Sequence, residues 1–175
     1  MSLPDLRAFA SALPEQGRVL LCTHRHPDPD GLGALVAMQQ LLSDRFGLAS
    51  DLVLEGRIRR AENVTMRELL EIHSIPKGGV DPHKYAGLLL VDSQPAFSHT
   101  HPPGGLPLLA VLDHHAGSED PVDERLQPAF AWVDSGFGAT STMVYHLLKA
   151  FDVKPNERTA TALFCGVRYD THDLA

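Results

Sequence analysis

Acids and histidines gather in four short stretches of this chain, each at the edge of an apolar segment. The first is Thr23-His24-Arg25-His26-Pro27-Asp28-Pro29-Asp30-Gly31-Leu32-Gly33-Ala34, where two prolines forbid regular structure and set His24, Asp28 and Asp30 around a bend. Gly31 and Gly33 then permit close backbone approach at a helix start. The second is Val91-Asp92-Ser93, the third Leu112-Asp113-His114-His115 and the fourth Val167-Arg168-Tyr169-Asp170-Thr171. Carboxylate oxygens and imidazole nitrogens are ligands that hydrolases use for divalent transition metals. Each stretch alone has a plainer reading: Asp28 or Asp30 as a helix N-cap, Asp92 as the start of a turn, Asp-His-His as a hydrogen-bonded surface triplet. Four of them, at the ends of separate elements, point together to a metal centre.

The elements that must position these residues are read from hydrophobic period. Residues 18–23, 51–54, 88–91, 108–112 and 130–133 read as strands, and 88–91 is apolar enough to be buried on both faces. Apolar positions at helical spacing mark 31–46, 63–73, 139–151 and 156–167 as helices. The charged stretch 55–62 fits either a loop or the start of the next helix. Turns rich in Gly and Pro fall at 76–82 and 101–107, both too short for a linker between domains. Strand and helix alternate, so the expected fold is α/β, a mostly parallel sheet flanked by helices. Parallel sheets place ligands beyond the carboxyl ends of their strands, where the acid and histidine stretches are expected to lie.

Composition narrows the function further. A chain of 175 residues that is 43% hydrophobic can bury one substantial core, so one domain is expected over 1–175. Its first twenty positions have no apolar signal-peptide centre, and no stretch has the length of a membrane span. A soluble, cytoplasmic protein with no membrane partner is expected, with a homo-oligomer left open. Cys22 and Cys165 stand apart in apolar surroundings, as buried thiols and not as a disulfide framework or a cysteine zinc site. A formal charge of −7 argues against a surface that coats duplex nucleic acid, which needs clustered Lys and Arg. Two bound divalent ions would offset four of those charges and leave the centre locally attractive to phosphate.

In order along the chain, His-x-x-Pro-Asp-x-Asp-x-x-Gly, an Asp after a strand, Asp-His-His and Gly-Val-x-x-Asp-Thr resemble the motif set of the DHH phosphoesterases, from about Val19 to the chain's end. That family includes RecJ-type exonucleases, oligoribonucleases that also dephosphorylate 3′-phosphoadenosine 5′-phosphate, cyclic dinucleotide phosphodiesterases and family II inorganic pyrophosphatases. The resemblance implies a hydrolase with two divalent metal ions, manganese first, with magnesium or cobalt as alternatives. His24 and Asp28 would bind one ion, Asp30, His114 and Asp170 the other, and Asp92 would bridge them. Such ions sit about 3.5–4 Å apart and supply a metal-held hydroxide, so no Ser or Cys nucleophile is required. His115 would face the substrate, while Asp113 would support the metal shell or bind directly.

The expected substrate is a phosphate ester or phosphodiester of a nucleotide or short oligonucleotide. Inorganic pyrophosphatase is the alternative within the enzyme class, and a noncatalytic metal- or nucleotide-binding module the alternative outside it. The Gly/Ala-Thr-Ser-Thr helix start within 134–142 resembles the family's and fits an anion site or a plain Ser/Thr cap. Arg25 and His26 fit phosphate contacts or a solvated surface, and His26 stands where many relatives have Asn. His73, His83, His99, His101, His146 and His172 carry no motif and are expected at the surface or in packing. The resemblance also implies a second, substrate-gripping domain that this sequence does not contain.

Overall fold

Five apolar runs form one parallel sheet in the computed structural model, which describes residues 3–117 and 124–172. The strands are β1 (Arg18–Cys22), β2 (Ala49–Val53), β3 (Gly87–Val91), β4 (Leu108–Asp113) and β5 (Phe130–Val133), in the order β2-β1-β3-β4-β5. Every neighbouring pair is parallel, and Leu21 of β1 stands opposite Leu52 on one side and Leu89 on the other. The helices are α1 (Leu6–Ala12), α2 (Pro29–Phe46), α3 (Ala61–Leu69), α4 (Thr140–Ala150) and α5 (Glu157–Asp170).

Alternation along the strands divides the core. Val19, Leu21, Leu89, Val91, Ala110 and Leu112 join the main cluster with Leu35 and Met38 of α2, Met143 and Leu147 of α4 and Ala162 and Leu163 of α5. Leu20, Cys22, Leu88, Leu90 and Val111 form a smaller cluster with Val53 and Leu108, on which Ile75, Val80 and Tyr85 pack. Strands buried on both faces are what near-continuous apolar runs require. The strand order reverses direction between β1 and β3, the switch point where open parallel sheets form a crevice beyond their carboxyl ends.

Local chemistry explains where the elements depart from expectation. Helix α2 begins at Pro29 and not at 31, because Asp28 caps it through bonds from Asp30 N and Gly31 N and proline suits a first turn. Gly47, at φ 64°, ends it. In 55–62, residues 55–60 are loop and Ala61 opens α3, which ends at Leu69, short of the expected 73. Glu71 there turns into the left-handed region, at φ 49°. Helix α5 runs on to Asp170, so the fourth acid stretch lies on the last turn of a helix and not at a strand end. Helix α1, absent from the expected set, is one short amphipathic piece capped by Asp5, and its Phe9 packs edge-on against Phe46 and Phe130. No helix among the described residues is long and apolar enough to cross a membrane.

Candidate metal centre

His24, Asp92 and the Asp113-His114-His115 triplet stand at the carboxyl ends of the adjacent strands β1, β3 and β4, and α2 and α5 bring Asp28, Asp30 and Asp170 to the same crevice. His24 Nδ1 donates to the Arg25 carbonyl at 3.0 Å, which leaves Nε2 as the nitrogen that faces the crevice. That Nε2 lies 3.4 Å from Asp92 Oδ2 and 3.8 Å from Asp28 Oδ1. His114 repeats the arrangement: Nδ1 donates to the Phe137 carbonyl at 3.3 Å, and Nε2 lies 2.9 Å from Asp170 Oδ2, 3.8 Å from Asp92 Oδ1 and 3.9 Å from Asp30 Oδ2. Both imidazoles thus point the same nitrogen into a nest of carboxylates.

Two backbone devices create this closeness. Asp92 adopts φ 56°, a left-handed conformation that Asp tolerates better than most residues and that turns its side chain back over the sheet edge. Gly31 supplies the space: a Cβ there would meet Thr23 Oγ1 at 2.8 Å, Asp92 Oδ2 at 3.1 Å and His24 Nε2 at 3.5 Å. The start of α4, which fitted an anion site or a plain Ser/Thr cap, takes the protein's own carboxylate. Thr140 N and Ser141 N donate to Asp30 Oδ2 and Oδ1 at 2.6 and 2.8 Å, and Thr140 Oγ1 donates to Asp92 Oδ1 at 3.0 Å. Helix α4 therefore holds Asp30 through its orphan N–H groups and positive end, and Asp92 through the Thr140 hydroxyl.

Asp113 behaves differently. It is fully buried; Oδ2 accepts from Gln94 Nε2 at 2.7 Å, and Oδ1 accepts from His115 Nδ1 at 2.7 Å. It orients His115 and not His114, and leaves the Nε2 edge of a half-exposed ring to face outward. Gln94 carried no sequence signal, since an amide after a strand has many uses. His99 lies outside any motif as well, yet its ring meets His24 edge-on at 5.8 Å and stacks on Phe97. Arg25 is exposed, with its N–H on the His99 carbonyl, and His26 turns toward the 55–60 loop.

The electrostatics are those of a crowded acid cluster. Burial, with Asp92 beside it, raises the Asp30 carboxyl to about 8, against the N–H bonds from Ser141. Burial also raises Asp92. Burial alone would lower both histidines, but hydrogen bonding to Asp28 and Asp92 lifts His24 to about 10, and Asp170, Asp30 and Asp92 lift His114 to about 9. His114 Nε2 is itself buried among these acids. A buried nitrogen that faces three carboxylates, Asp170 nearest at 2.9 Å, fits a cation site. Three sets among the described residues offer ligand atoms within 4.8 Å of one another: His24, Asp28 and Asp92; Asp30, His114 and Asp170; and Asp92, His114 and His115.

The pattern has counterparts among known proteins. The model of the DHH family's N-terminal domain matches residues 18–167. An uncharacterized protein of Methanocaldococcus jannaschii is 30% identical over 154 residues, 87% of this chain and 30% of that protein. The crystal structure of an exopolyphosphatase-related protein from Bacteroides fragilis superposes with a TM-score of 0.63 at 11% identity, over 90% of this chain and 47% of the other. The chain thus spans about a third of its curated relative and about half of the solved structure.

Proposed function

We propose, on the premise that this chain belongs to the DHH family, that it is the catalytic unit of a metal-dependent phosphoesterase acting on a nucleotide or short oligonucleotide. One observation carries this reading: Asp92 turns one oxygen toward His24 and the other toward His114, between the flanking pairs Asp28 with His24 and Asp30 with Asp170. His24, Asp28 and Asp92 would hold one divalent ion, and Asp30, His114, Asp170 and Asp92 a second. Oxygen and imidazole donors without sulfur suit manganese, with cobalt and magnesium next. When bound, such a pair acidifies water and draws charge from the phosphoryl oxygens.

The remaining steps belong to side chains of this chain. His24 and His114 are locked by backbone carbonyls with Nε2 inward, so they need no rearrangement to act as ligands. His115, held at Nδ1 by Asp113, carries a proton at Nε2 toward the departing oxygen, and the Asp113 carboxylate, by its hydrogen bond, raises that imidazole's proton affinity. Helix α4 fixes Asp30 and Asp92 so that neither swings away as charge builds on the phosphate.

The test is product release with added Mn²⁺ from 3′-phosphoadenosine 5′-phosphate, a dinucleotide and pyrophosphate in parallel, with the intact chain and Asp92→Asn. Asparagine accepts the left-handed backbone at 92, so the fold should persist while turnover falls about 100-fold or more. Turnover of pyrophosphate alone would move the chain to the inorganic branch. Tight Mn²⁺ binding without turnover of any of the three would make it a noncatalytic metal domain, and full activity in Asp92→Asn would refute the site.

A further inference from the structure

Beside the acid cluster lies a cavity of about 440 Å³ with the opposite character. Its wall includes His26, Asp28, Arg57, Arg59, Arg60 and Tyr169, so Asp28 is shared between the cavity and the metal centre. Three guanidinium groups in four consecutive residues are a local concentration in a chain of net charge −7. The nearby acid Glu55 is engaged elsewhere, with Lys77 at 3.5 Å and His101 at 3.6 Å. Arg57 and Arg59 form no ion pair among the described residues.

The arginine loop is built onto the metal-binding loop. His26 N donates to the Glu55 carbonyl at 2.8 Å, and Arg57 N donates to His26 Nδ1 at 2.9 Å. Gly56, at φ 83°, lies against the His26 ring so closely that a Cβ would stand 2.5 Å from Nδ1. Asn63 of α3 reaches back through Nδ2 to the Pro27 carbonyl at 3.4 Å. Arg60 donates to the Tyr169 hydroxyl and lies 5.6 Å over its ring, next to Asp170 in sequence. The residues that frame the cations are therefore the same ones that shape the loop carrying His24 and Asp28. Guanidinium forks match phosphate oxygens, and a rigid frame lowers the ordering cost of binding.

We infer that this cavity is a phosphate-binding subsite: Arg57 and Arg59 hold a second phosphate of the substrate, next to the one hydrolysed at the metal centre, and Arg60 positions Tyr169. This rests on the phosphoesterase reading and narrows it to substrates with neighbouring phosphates. A nucleoside bisphosphate, an oligonucleotide and an inorganic polyphosphate share that chemistry.

The experiment compares kcat and KM of the Mn²⁺-loaded chain for a nucleoside 3′,5′-bisphosphate, the matching monophosphate, a trinucleotide and tripolyphosphate. The variants are Arg57→Ala, Arg59→Ala and Arg59→Lys, with Lys149→Ala, near the opposite end of α4, as a charge control. In parallel, the metal-free chain is titrated calorimetrically with the bisphosphate in EDTA. The intact chain should favour whichever multiphosphate is its substrate over the monophosphate. Each alanine variant should lower that preference about tenfold or more, through KM, with partial recovery in Arg59→Lys. Binding in EDTA should weaken in the same variants. An unchanged preference and unchanged binding, or losses no greater than in Lys149→Ala, would overturn the subsite and leave the hydrolase reading standing. Weakened binding in a chain that hydrolyses nothing would keep the anion site and remove the hydrolase.

Discussion

Both oxygens of Asp113 are engaged, one by Gln94 and one by His115, whereas Asp92, at the end of the neighbouring strand, turns its oxygens toward two imidazoles. The same residue type thus orients a ring in one place and faces the candidate cation site in the other. Replacing His115 by Ala should lower kcat by about 100-fold or more while the Mn²⁺ affinity, read by calorimetry, changes far less, because His24 and His114 remain. Equal losses in affinity and in kcat would make His115 a ligand instead. Asp113→Asn should reproduce most of the kcat loss, since an amide cannot stabilise the charged ring as a carboxylate does. At this scale the sequence revealed the acids and histidines themselves, because their types and motif spacing are chemical statements. Gln94 and the His99–Phe97 stack were not legible, since their roles come from loop geometry that no local pattern encodes.

Helices α2, α4 and α5 meet directly beneath the acids. A Cβ on Gly33 would stand 2.6 Å from the Ala162 carbonyl oxygen and 2.8 Å from Ser141 Oγ, and one on Gly166 would collide with Ser141 Oγ and stand 3.1 Å from Asp30 Cα. Gly33→Ala or Gly166→Ala should therefore destabilise the chain by about 1–3 kcal/mol in a denaturant melt. Because these helices carry Asp30 and Asp170, the same changes should weaken Mn²⁺ binding even where the chain still folds. The five strands and four of the five helices could be read from hydrophobic period, since long buried runs and amphipathic faces leave strong signals. The short α1 could not, with about two turns too brief to stand out from a capped loop. The end of α5 was placed early because Arg168, Tyr169 and Asp170 break the apolar pattern while the backbone stays helical.

For the molecule as a whole, the acid cluster makes stability depend on pH in a definite direction. Asp30 rises from an ordinary 3.8 to about 8, so the folded chain keeps a proton that the unfolded chain has lost, and this contribution shrinks as pH climbs from 3.8 to about 8. His24 and His114 rise from 6.5 to about 10 and about 9, so their contributions are complete below 6.5 and vanish as pH passes those values. All three act in one direction: the Tm of the metal-free chain should fall between about pH 6 and about pH 9. Mn²⁺ bound as proposed would compete for the same atoms, so the rise in Tm on adding it should grow over that interval. A Tm that rises with pH in EDTA would show that these protons are not held as the geometry requires.

The left-handed backbone at Asp92 carries a consequence for how this chain can change over time. Position 92 is restricted twice, by a conformation open at low cost mainly to Gly, Asn and Asp, and, under the proposed function, by a chemistry that needs a carboxylate. Loss of the carboxylate through Asn or Gly would leave the fold nearly intact, so descendants that give up the proposed chemistry would have a short path through this one site. A β-branched or bulky residue there would damage backbone and chemistry together. The identity of residue 92 is therefore a compact marker, across descendants of this chain, of whether the centre has been kept or released.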